Sequence, residues 1–114
     1  MFKSTILALG AVALLGGQAA AFNTCEANRI YCGYELIEQP EPDRTLWTIR
    51  VNAALTRAGQ TPITVDKQIQ SRFRCNTDRV SLTFVNFCLS TPGSFCQPRD
   101  NQACNGIDSC CLPV

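Results

Sequence analysis

The chain has 114 residues, eight of them Cys and none of them His, with a formal net charge of +1. That length suits one small domain. The missing His excludes Ser-His and Cys-His nucleophilic pairs, a His general base and His-ligated metals, so acid–base chemistry would fall to Asp and Glu.

Residues 1–21 read as a signal peptide. Met1-Phe2-Lys3 is a short positive start, and Ile6 to Leu15 is an apolar run of the length of a leader core. Gly16-Gly17-Gln18 breaks the run, and Ala19-Ala20-Ala21 places small residues three and one positions before Phe22. The run is too short for a transmembrane helix, which needs roughly 20 apolar residues. The expected product is a single cysteine-rich secreted domain, residues 22–114, with no membrane anchor. Without Lys3 its formal charge is zero, which argues against general nucleic-acid binding and against a lytic cationic peptide.

Residues 29–37 (RIYCGYELI) suit a strand or a short helix, with Gly33 weakening either reading. Pro40 and Pro42 end what precedes them, and Asp43 is placed to cap a helix. Trp47, Val51, Ala54, Leu55 and Ala58 then recur at helical spacing, and Gly59 stops the run. Thr61-Pro62 or Thr64 opens a second helix whose apolar stripe is Val65, Ile69 and Phe73. Residues 79–88 alternate Val80, Leu82 and Phe84 with Ser81 and Thr83, the pattern of a half-buried strand. Residues 89–114 hold Pro92, Gly93, Pro98, Gly106 and Pro113 and form a turn-rich tail. The expected fold is α+β: a small disulfide-stabilised domain, two helices packed on a short antiparallel sheet, with a turn-rich C-terminal tail.

All eight cysteines, Cys25, Cys32, Cys75, Cys88, Cys96, Cys104, Cys110 and Cys111, lie after the leader. An even number at this density in a secreted chain predicts four disulfides, in a connectivity that spacing does not choose. The spacing lacks the paired knuckles of a zinc site. Cys110 and Cys111 are adjacent and should pair with two different partners. No catalytic, cofactor-binding or metal-binding residue is assigned, and no cofactor is expected.

Charge is unevenly spread. Residues 22–43 carry a net −4, residues 44–79 a net +5 and residues 80–114 a net −1. The acidic and basic blocks are expected to face each other or to form solvated faces, and the sharper alternative is a basic patch for a partner. Arg44, Arg50 and Arg57 would line the outer face of the first helix. Trp47 is expected in the core, with an interface anchor as the alternative.

The order Cys25, Tyr31-Cys32-Gly33-x-x-Leu36, Phe73-x-Cys75, Leu82-x-Phe84-Val85-x-x-Cys88, Pro92-Gly93-x-x-Cys96 and Asp108-x-Cys110 resembles the small secreted cysteine-rich proteins of filamentous fungi. Many of that group are effector candidates released during colonisation of a host. The chain departs from the pattern in a Pro-Glu-Pro insert between Cys32 and Cys75 and in an extra Cys pair in the tail. Phe73-x-Cys75 also sits mid-chain, so a ribonuclease-like effector fold is not carried over. The resemblance implies an extracellular, non-enzymatic interaction protein, a monomer binding a host protein or a cell-wall component. The alternatives are a killer-toxin-like or antimicrobial protein, which the Arg block would serve, and a small hydrolase. The hydrolase would need a carboxylate pair such as Glu35 and Glu38.

Overall fold

The computed structural model describes residues 22–113, so the leader assigned to residues 1–21 lies outside the described residues. Strand β1 (Ile30–Cys32) runs directly into helix α1 (Gly33–Ile37). Both readings of residues 29–37 are therefore realised, one after the other. The joint is made by Glu35, whose Oε1 accepts the backbone N–H of Cys32 at 2.7 Å. An extended Cys32 thus hands over to a helix with one of its orphan donors satisfied.

Helix α2 (Asp43–Arg57) buries Trp47, Val51, Ala54 and Leu55 of the stripe read from the sequence, and Asp43 as well, whereas Ala58, the last residue of that stripe, is exposed. Ala58 closes it, and Gly59 at φ +72° supplies the left-handed turn that ends it. The capping assignment is corrected. Pro42 holds the cap position, and Asp43 stands in the first turn with its carboxylate turned to the N-terminal segment.

Helix α3 (Val65–Gln70) is capped by Thr64, whose Oγ1 accepts the Lys67 N–H at 3.2 Å. Its expected stripe is also corrected. The helix ends at Gln70, Val65 is exposed and Phe73 is buried on the following strand. Six residues are too few for a stripe of three, and the β-type alternation Ser71, Phe73, Cys75 takes over.

Strand β2 (Ser71–Cys75) is central to a three-stranded antiparallel sheet, with β1 on one side and β3 (Leu82–Phe87) on the other. Tyr31 pairs with Phe73 and Phe73 with Phe84, and a register shift falls between Arg72 and Phe73. Val80, read as part of the strand, lies in the preceding turn and is exposed. After a 3₁₀ turn (Cys88–Ser90), the tail contains a second antiparallel pair, β4 (Ser94–Gln97) with β5 (Cys110–Pro113). The domain is a small disulfide-stabilised α+β fold, richer than expected by the short α1 and this second sheet.

The main core joins Leu36, Trp47, Val51, Leu55, Phe73 and Leu82 between the helices and the three-stranded sheet. A second cluster, Cys32, Cys88 and Cys96 with Tyr34 and Cys111 against it, fixes the two-stranded sheet. The four disulfides are Cys25–Cys75, Cys32–Cys96, Cys88–Cys111 and Cys104–Cys110. Cys110 and Cys111 do take different partners, one within the tail and one at the end of β3. The first three bonds interleave along the chain, so each encloses one end of the next. No helix among the described residues is long and apolar enough to cross a membrane.

Candidate functional site

The described ion pairs gather at one place. Arg29 Nη1 lies 3.1 Å from Glu26 Oε2, and its Nη2 lies 3.5 Å from Glu35 Oε2. Arg99, from the tail, reaches Glu26 Oε1 at 3.7 Å. The Arg29 guanidinium sits over the Tyr31 ring, 4.1 Å from its centroid, and the Tyr31 hydroxyl accepts the Glu26 N–H at 2.9 Å. The local causes are plain. The Cys25–Cys75 and Cys32–Cys96 bonds hold the Glu26–Arg29 turn, the β1–α1 joint and the tail together.

Glu35 is the chemically distinctive member. Burial pushes its carboxyl above the usual range, against the downward pull of the Cys32 N–H and the Arg29 charge. Tyr34 beside it is also raised, first by burial and then by the negative charges of Glu35, Glu38 and Asp100, and its hydroxyl donates to the Cys96 carbonyl at 3.2 Å. Yet both Glu35 oxygens are engaged, one by Cys32 and one by Arg29. Glu38, its proposed hydrolytic partner, is exposed. Glu26 and Glu35 share one guanidinium rather than facing across a cleft. What the cluster presents to solvent is a charged rim, with the Glu26 side chain 58% and the Arg99 side chain 39% exposed.

The arginines of the basic block behave differently from a free patch. Arg44, Arg50, Arg57, Arg72 and Arg79 donate to the carbonyls of Gln39, Asn23, Leu82, Ser109 and Cys25 respectively. The acidic and basic blocks meet without ion pairs at contact distance: Arg50 feels the charge of Asp43, and Glu41 that of Arg44. Among the described residues, the three ion pairs draw on Arg29 and Arg99, both outside residues 44–79. Main-chain carbonyls at loop and strand ends are acceptors that need partners, and the long forked Arg side chain reaches them. Arg50 also stacks over Trp47, 4.5 Å from the ring centroid. Trp47 itself is fully buried and belongs to the core, not to an interface.

A recess of about 170 Å³ lies between α2 and β3, lined by Ala54, Arg57, Ala58, Leu82, Thr83 and Phe84. It is small beside the 300–1,000 Å³ of ordinary small-molecule sites and holds no carboxylate. The sequence reading missed the Arg29 cluster. Glu26 and Arg29, three apart, were a visible signal, but Arg99 is brought in only by the tail's disulfides.

No family model matches this chain, and comparison with curated proteins and with solved structures returns no match.

Proposed function

We propose that the protein is a secreted, disulfide-stabilised interaction protein of the effector type, acting outside the producing cell by binding a host protein or a cell-wall component. The observation that carries this reading is the frame of four disulfides. Such density suits an oxidising compartment, and interleaved bonds hold a small domain against unfolding and proteolysis. Binding rather than turnover is supported by the engaged state of Glu35 and by the small recess. The killer-toxin-like or antimicrobial alternative drew on the Arg block, and five of those guanidiniums already serve main-chain carbonyls.

The test uses the oxidised mature protein as bait against host extract and against insoluble wall polysaccharide, beside its reduced and alkylated form. Retention that depends on intact disulfides and is weakened by Glu26→Arg on the exposed rim supports the reading. Parallel assays for RNase, glycosidase and membrane leakage separate the classes. Turnover abolished by one Asp or Glu substitution would overturn it, and leakage at low concentration would favour the toxin alternative.

A further inference from the structure

Asp43 is a buried charge, 8% exposed, in the first turn of α2. Among the described residues, no Lys or Arg lies within ion-pair distance of it. A buried carboxylate is costly unless a partner compensates it. The partner it does have is the backbone nitrogen of Phe22, whose N–H donates to Oδ2 at 2.7 Å. Phe22 is partly buried and held at several points. Its carbonyl accepts the Trp47 indole N–H, and its ring lies 5.5 Å from Trp47 and 6.4 Å from Tyr31. The next residues are tied in as well: Arg50 donates to the Asn23 carbonyl at 2.8 Å, and the Cys25 N–H donates to the Arg79 main-chain carbonyl at 3.0 Å.

Phe22 is also the residue that directly follows Ala19-x-Ala21, the small-residue pattern of a leader cleavage site. Two independent observations therefore meet at one nitrogen atom. Hydrolysis of the Ala21–Phe22 amide by a leader-removing peptidase consumes one water. It leaves a carboxylate on Ala21 and a free α-amino group on Phe22, which takes up a proton. A neutral amide with one donor becomes an ammonium with three donors and a full positive charge, within hydrogen-bond distance of a buried carboxylate whose cationic neighbour Arg50 stands beyond ion-pair distance.

We propose that Asp43 is a receptor for the α-ammonium of Phe22, so that removal of the leader completes a buried ion pair and locks the N-terminal segment onto Trp47 and Tyr31. The ligand class is a primary α-ammonium on an aromatic residue, supplied by the chain itself. The inference rests on the reading of residues 1–21 as a removed leader, and that reading is tested separately below.

N-terminal sequencing of the secreted protein comes first. A start other than Phe22 removes the leader reading and the proposal with it. With a Phe22 start, reductive methylation at pH 7 compares the α-amine with the ε-amine of Lys67, in the native protein and in the reduced, unfolded chain. The ion pair predicts that the native α-amine reacts at least about tenfold more slowly than in the unfolded chain, one pKa unit of protection. Equal rates in the two states overturn the docking alone. Asp43→Asn should restore the fast rate. Because that variant risks misfolding, a second chain retaining Ala21 keeps Asp43 and displaces only the charge. It should melt lower than the Phe22 form, and an equal melting temperature overturns the proposal.

Discussion

Gly33 lies directly beneath the main-chain carbonyl of Gln68: a Cβ added to it would stand 1.7 Å from that oxygen and 3.1 Å from the Phe73 ring. This contact sets how closely α3 packs over the β1–α1 joint. Gly33→Ala should therefore be destabilising, although alanine is the better helix former by about 1 kcal/mol. The obstacle is backbone, which cannot rotate aside, so the cost should reach the range of core overpacking, about 1–3 kcal/mol. A thermal melt should show a fall of at least about 4 °C for a domain of this size. An unchanged melting temperature would show that α3 does not bear on Gly33.

The disulfides should differ in worth. Cys32–Cys96 spans a sequence separation of 64, and Cys104–Cys110 a separation of 6. The chain-entropy relation gives about 4 kcal/mol for the first and about 2 kcal/mol for the second. Cys32 and Cys96 are also buried, whereas Cys104 and Cys110 are half-buried. Paired Cys→Ala variants compared by urea unfolding should rank in that order. Under mild reductant, mass spectrometry should find Cys104–Cys110 opened first. The reverse ranking would mean that the tail, not the long loop, limits the stability.

Glu35 gives a pH dependence with a definite sign. Burial raises its carboxyl in the folded state above its unfolded value. The folded protein then holds this proton more tightly than the unfolded chain, so stability falls as pH rises from the unfolded value of about 4.3 to the folded one. Glu35→Gln keeps an oxygen for the Cys32 N–H and removes the titration. Relative to that variant, the wild type should lose stability as pH rises above the unfolded value of about 4.3, read by urea midpoints. A relative gain would mean that Arg29 outweighs burial. Glu41 and Asp78 are lowered, by hydrogen bonds from Thr45 and from Val80 and Ser81 respectively, and act in the opposite sense; they cancel in the comparison because both proteins carry them.

Trp47 is the sole Trp and is fully buried in the main core. Its emission should shift to longer wavelength on unfolding and stay unshifted on binding a partner. Trp47→Ala should cost about 3–5 kcal/mol, enough to unfold much of the population of a small domain. A well-folded Trp47→Ala variant with impaired binding would instead return Trp47 to the interface.

The helix at residues 43–57, its stop at Gly59, the strand character of residues 82–87 and the split partners of Cys110 and Cys111 were all legible in the chain. They follow from local rules: a 3.6-residue apolar period, a glycine at a left-handed turn, alternation along a strand and the strain of bonding neighbours. The stripe Val65, Ile69, Phe73 misled because a helix of six residues and the strand after it were read as one period. Nothing local told where the helix ended, since Ser71 is extended only because β2 pairs on both sides.

The roles of the charged side chains were decided by tertiary structure. From the sequence, Arg44, Arg50 and Arg57 look like the outer face of a helix, and Asp43 looks like a cap. In the fold each Arg reaches a main-chain carbonyl, and Asp43 turns to Phe22. Arg99 meets Glu26 although 73 positions separate them in the chain, because the tail is pinned beside β1. Apolar patterning is a property of neighbours along the chain and can be read there. The acceptor that a long charged side chain finds is set by which distant backbone the folded chain brings within a few ångströms, and no local spacing encodes that.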